Sequence, residues 1–134
     1  MQMNYAVLTG NIVRSPELSI TVNGNPFCRF RFASNRSGGR KNGGEKEQQP
    51  EADFFDVEVW GRQAENLCDT CVAGDRLLVA GRLRYNEWED GEGLRHSRHV
   101  IMADVVALTL EFDTYRIAHG LTSTSPRPEA PDAA

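Results

Sequence analysis

Apolar and polar positions alternate over three stretches of this chain. Residues 53–60 read Asp-Phe-Phe-Asp-Val-Glu-Val-Trp. With a side-chain period of two, Phe55, Val57 and Val59 form one face, and Phe54, Asp56, Glu58 and Trp60 form the other. Residues 27–35 behave alike: Cys28, Phe30 and Phe32 point one way, and Phe27, Arg29, Arg31 and Ala33 the other. Over 76–88, Leu77, Val79 and Leu83 share one parity, while Arg82, Arg84 and Trp88 share the opposite one. Each stretch predicts a half-buried β-strand. In each, aromatic or basic side chains lie on the face left outside the core.

Punctuation residues supply the remaining elements. A first strand is expected over 4–13, with Gly10 at a bulge or bend, and Ser15-Pro16 breaks it. A short strand over 18–22 turns through Asn23-Gly24-Asn25-Pro26 into the next. Residues 36–52 are rich in Gly, Gln and charge, a long excursion of the kind that is usually functional or disordered. A helix is expected over 62–72, where Ala64, Leu67, Cys68 and Cys71 fall on one stripe and Gly74 follows as a stop signal. Strands over about 75–88 and 94–110 flank the hairpin tip Asp90-Gly91-Glu92-Gly93. The second is long enough that it must curve or coil.

Five principal strands with one helix between the third and fourth are the layout of the OB-fold, an all-β, five-stranded Greek-key barrel. The order also argues against alternating βαβ units. At 134 residues the chain is one domain's worth. The barrel is expected over 1–112 and a flexible tail over 113–134, where Ser, Pro, Ala and acids come to dominate.

Composition narrows the chemistry. The chain is 40% hydrophobic and 25% charged, ordinary for a soluble globular protein. It has no apolar stretch of bilayer-spanning length and no secretion signal at Met1, so a cytoplasmic protein without membrane attachment is expected. Three cysteines, Cys28, Cys68 and Cys71, argue against a disulfide framework. Cys68 and Cys71 form a C-x-x-C, but no second ligand pair stands at zinc spacing, so core filling is expected and no metal or cofactor. Asp56 and Glu58 lack an accompanying nucleophile or metal set, which argues against an enzyme.

Net charge is −4, which taken alone counts against binding nucleic acid. The distribution answers in part. Between Phe27 and Lys46 stand six bases (Arg29, Arg31, Arg36, Arg40, Lys41, Lys46) and one acid; between Glu47 and Glu58 stand five acids and no base. Phosphate responds to local potential within a Debye length of about 10 Å. An exposed indole beside two guanidiniums, as at Trp88, Arg82 and Arg84, suits a flat, π-faced, negatively charged ligand. Single-stranded nucleic acid is the commonest such ligand. The shared face of Asp56, Glu58 and the aromatics is unfavourable for phosphate unless the acids pair with Arg29 and Arg31 on the neighbouring strand.

Residues 3–112 resemble the bacterial single-stranded-DNA-binding protein family. The resemblance is carried by Val-Leu-Thr-Gly-Asn-Ile with Pro-Glu-Leu after it, by Phe-Arg-Phe-Ala-Ser, by Phe-Phe-Asp-Val-Glu-Val-Trp-Gly-Arg-Gln-Ala-Glu-Asn, by Gly-Asp-Arg-Leu-Leu-Val-Ala-Gly-Arg-Leu, and by Trp88 before an Asp-Gly turn. It implies sequence-tolerant protection of single-stranded DNA in replication, repair or recombination. Bases would stack on Phe54, Trp60 and Trp88, and Arg29, Arg31, Arg36, Arg40, Lys41, Arg82 and Arg84 would grip phosphates. It also implies a homotetramer. A further stacking aromatic of the family is replaced here by Ser37-Gly38-Gly39, and Phe27 or Tyr85 would have to take its place. The family's acidic, aromatic-ended tip recruits replication and repair enzymes; the residues here end Pro-Asp-Ala-Ala, so recruitment by that route is not expected. The alternatives are an OB-fold interaction subunit with weak or lost DNA binding and, more distantly, a redox protein using Cys68 and Cys71.

Overall fold

The computed structural model describes residues 1–35 and 52–117. Its elements run β1 (Ala6–Ile12), β2 (Glu17–Ile20), β3 (Pro26–Asn35), β4 (Ala52–Trp60), α1 (Arg62–Thr70), β5 (Arg76–Glu89) and β6 (Arg95–Leu108). Every expected strand is present. The helix ends two residues before the expected 72, because Cys71 is already extended at φ −113°, ψ 145°. The first strand starts later than expected. Asn4 stays outside the ladder, yet its side-chain amide donates to Leu83 O (2.8 Å) and accepts from Leu83 N (3.0 Å), bracing β5.

Five strands close into a ring. β1 pairs with β5, β5 with β6, and β3 with β4, all antiparallel; β4 and β6 run parallel over three residue pairs. Two pairs between β1 and β3, Asn11 with Ala33 and Ile12 with Phe32, complete the circuit. The short β2 adds to β3 outside the ring. Counted over the five ring strands, α1 lies between the third and the fourth, as the sequence predicts.

Two glycines make the closure possible. A Cβ on Gly10 would stand 2.3 Å from Ala33 O, at the point where β1 leaves β5 for β3. A Cβ on Gly81 would stand 2.1 Å from Met102 O, where the β5–β6 register shifts. Neither contact is possible for a real side chain, so the backbones approach only because the side chain is absent. The bend expected at Gly10 is thus a close approach, and the coiling expected of the long hairpin is concentrated at Gly81.

The ring's interior holds Ile12, Cys28, Phe30, Phe32, Val57, Val59, Leu77, Val79 and Ile101, closed at one end by Ala64 and Leu67 from α1 and by Cys71 just after it. Cys68 packs against this core. Burial pushes the Cys28 thiol up to about 12 and the Cys71 thiol up to about 11; Cys68 is raised by the same cause. Near neutral pH all three remain thiols, which makes them poor nucleophiles and suits core filling. Gln63 on α1 accepts from Val106 N (2.7 Å) and donates to Asp104 O (3.1 Å), covering the edge of β6 beyond its pairing with β4. Among the described residues, no helix is long and apolar enough to cross a membrane.

Candidate nucleic-acid interface

The pairing register lays the outward side chains of β3, β4, β6 and β5 in rows. One row reads Arg29, Glu58, Met102, Arg82, and the next Arg31, Asp56, Val100, Arg84. Beyond the first row Phe27 lies opposite Trp60. Beyond the second, Phe54 lies opposite Ala33, Arg98 opposite Asn86, and Trp88 opposite His96. The period-two alternation therefore brings Phe54, Trp60, Trp88, Arg29, Arg31, Arg82 and Arg84 onto one outer face, as expected. Arg36, Arg40 and Lys41 lie outside the described residues, as does the expected loop that carries them.

All three predicted platforms face solvent: Phe54 is 50% exposed, Trp60 43% and Trp88 40%. Each ring is steadied by a neighbour. Phe27 stacks on Trp60 with centroids 4.8 Å apart and planes 21° from parallel. The Arg31 guanidinium lies 5.0 Å from the Phe54 centroid. Trp88 has the Arg98 guanidinium 4.5 Å from its ring and the His96 ring stacked 5.4 Å away. Such pairs hold a flat ring while leaving part of its surface open to a base.

Trp88 also sits at the root of a well-built turn. The Asp90 carboxylate accepts from the Glu92 and Leu94 amides at 2.8 and 2.9 Å, and meets His96 Nε2 at 2.8 Å. The His96 contact and those amides hold the Asp90 carboxyl below the ordinary aspartate range. The tip is thereby fixed beside the indole rather than swinging free.

The acids on this face are already paired, as the cross-strand reading required. Arg29 holds Glu58 through both Nε and Nη2, with Nε at 3.1 Å. Arg31 Nη1 stands 3.7 Å from Asp56 Oδ1, and Arg98 Nη1 donates to Asp56 Oδ2 at 3.2 Å. Arg98 was not among the sequence-predicted site residues. Extending the alternation backwards from Met102 and Val100 along β6 reaches it, but a strand with one apolar run and two histidines hides its parity. Arg14 was missed too. It lines, with Ser15, Glu17, Arg29, Arg31 and Asp56, a cleft of about 370 Å³ beside the β1–β2 turn. No strand pattern points to a loop residue.

Neither substitute for the missing platform stands free on this face. Phe27 is occupied beneath Trp60. Tyr85, next to Arg84 in the chain and so of opposite parity, faces His99 at 5.1 Å on the other side of the hairpin from Trp88. Among the described residues, no group of three or more His, Cys, Asp or Glu is placed to hold a metal.

Known proteins resemble this arrangement. Residues 3–110 match the model of the single-strand binding protein family. A single-stranded DNA-binding protein of Treponema pallidum is 39% identical over 106 residues, covering 79% of this chain and 57% of its own length. Single-stranded DNA-binding protein 2 of Listeria innocua is 33% identical over 129 residues, covering 96% and 76%. This chain spans little more than half the length of several such relatives, 57% and 60% in two cases. The crystal structure of a small single-stranded DNA-binding protein from Streptomyces coelicolor superimposes with a TM-score of 0.68 at 25% identity, covering 82% of this chain and 97% of that one. The ring of strands is thus an OB-fold.

Proposed function

This chain belongs to the single-strand binding protein family, and we propose that it binds and shields single-stranded DNA without catalysing a reaction on it. The observation that carries this reading is the outer face itself, with three solvent-facing rings set among five guanidiniums on four adjoining strands. Bases lie against Phe54, Trp60 and Trp88, and every base has a π-face, so sequence matters little. Arg29, Arg31, Arg82 and Arg84, joined by Arg36, Arg40 and Lys41, follow the backbone between stacked bases. The strands used are those through which OB-folds bind oligonucleotides, together with the hairpin at Trp88. Residues 1–112 carry the activity, no metal or cofactor enters it, and the protein acts in the cytoplasm during replication, repair or recombination.

We also propose assembly into a homotetramer, and a second outer surface supports self-association. Val7, Ala80 and Val105 lie side by side across β1, β5 and β6, with Thr9, Leu78 and Ala107 in the next row. This apolar band bears none of the arginines of the DNA face and suits contact with other copies. Light scattering gives the mass directly.

Titrating the chain with oligo-dT while following tryptophan emission tests the main reading. Trp60 and Trp88 should be quenched on binding, and affinity should fall as salt rises. Unchanged emission at micromolar concentrations would sink it and favour an interaction subunit instead.

A further inference from the structure

The DNA face carries its counter-charge inside it. Asp56 and Glu58 point outward from the middle of β4, yet their side chains are only 12% and 11% exposed. The arginines over them are far more open: Arg29 42%, Arg31 49% and Arg98 33%. Acids lie beneath and bases above, at the centre of the surface offered to the backbone. Arg82 and Arg84, one strand further on, have no ionic partner among the described residues.

We propose that Asp56 and Glu58 are positioning residues that set the balance between stacking and phosphate attraction, and so select unpaired bases over polyanions that offer phosphate alone. The proposal rests on the DNA-binding reading above. Its logic is local. Glu58 takes two donors of Arg29, and Asp56 is shared between Arg31 and Arg98. Those guanidiniums are held in place with outward N–H groups still available, but two of their charges are cancelled at contact distance. A phosphate arriving there meets aligned donors and a weakened field. A duplex, whose bases are stacked away, can use only that field; a single strand adds Phe54, Trp60 and Trp88. The same placement explains how a chain of net charge −4 can present a binding face at all: two acids are sunk under bases rather than displayed.

The test compares the unaltered chain with Asp56→Asn, Glu58→Gln and the double variant, using oligo-dT and a duplex of equal length over a salt series. Freeing two charges should steepen the log–log salt slope for oligo-dT by up to about 1.4, at roughly 0.7 per phosphate contact. Affinity lost between about 50 and about 200 mM salt then grows about sevenfold relative to the unaltered chain. At low salt both DNAs should bind the variants more tightly, the duplex by the larger factor. Structural damage would weaken binding, so a gain separates the two explanations. If circular dichroism shows the double variant unfolded, each single variant carries the same expectation at half the slope change. Unaltered slopes and duplex affinity in folded variants that still bind oligo-dT would overturn the counter-charge. An unaltered chain that fails to bind oligo-dT would overturn the DNA-binding reading, and the counter-charge with it.

Discussion

Along the outside of β5, Leu78 and Ala80 come before Gly81, and Arg82, Arg84 and Trp88 come after it. β6 mirrors the change: Ala107 and Val105 lie opposite the first pair, Met102, Val100 and His96 opposite the other three, and Arg98 opposite Asn86 between them. One hairpin therefore carries two unlike surfaces. The half beside β1 carries the apolar row Val7, Ala80 and Val105, with Arg76 at its far end tied to Glu111, while the half beside β4 is basic and aromatic. The register shift at Ala80/Gly81 is where one gives way to the other. On the reading proposed above, one small ring of strands keeps a face for DNA and a face for its own copies apart without adding an element. It bends one long hairpin, so that each half looks in a different direction.

The bend itself is the point where the largest effect is expected. In Gly81→Ala the new Cβ would meet Met102 O and the backbone of Ala103, which are not free to move as side-chain tips are. A loss of about 3 kcal/mol or more is expected in urea unfolding, at the upper end of overpacking effects. Both surfaces should fail together, since both depend on the same coil. A variant as stable as the original would show that the hairpin does not need its close approach.

Next in size is Trp88→Ala. Removing one platform should weaken oligo-dT binding by about 1–3 kcal/mol, or about 5–150-fold, in a fluorescence titration followed through Trp60 or through labelled DNA. The salt slope should stay nearly constant, because no cation is removed. Mass by light scattering should not change, because Trp88 is on the far side of the bend from the apolar band. A change of mass with intact binding would mean that the two surfaces have been assigned the wrong way round.

The legible part of this molecule is the part written in strict alternation. Phe54 and Trp60 are on the outer face because their neighbours Phe55 and Val59 need the inside, and Trp88 because its parity is opposite to that of the inward Leu77, Val79 and Leu83. The pairing of Asp56 and Glu58 with Arg31 and Arg29 was legible for the same reason, since both strands alternate over the same length. What stayed hidden depends on partners distant in sequence. The parity of Arg98 is set by β6 lying between β4 and β5, and Val100 is buried although it points outward beside Asp56. The division at Gly81 was equally hidden, because a glycine in an apolar run signals weakness in a strand before it signals where the strand coils.

The smallest effect concerns the apolar band, and there the magnitude decides how to test it. Isolated exposed apolar side chains are normal on any protein, so Val7 by itself argues nothing. Its row is what matters, because Ala80 and Val105 continue it across two strands. Val7 is 59% exposed in the single chain, so a second copy could still bury rather more than half of it. Full burial of a valine is worth about 1.5–3 kcal/mol, so that remainder is worth roughly 1 kcal/mol per copy at an interface. Val7→Ser should therefore raise the dissociation constant between copies about fivefold for each altered side chain buried, a shift that dilution in light scattering or sedimentation can resolve. Arg29, Arg31 and the three rings are untouched, so oligo-dT affinity per chain should move little at concentrations where copies are already separate. Unchanged association after Val7→Ser, repeated with Val105→Ser, would remove the band from the interface and leave the difference between the two halves of the hairpin without a purpose in assembly.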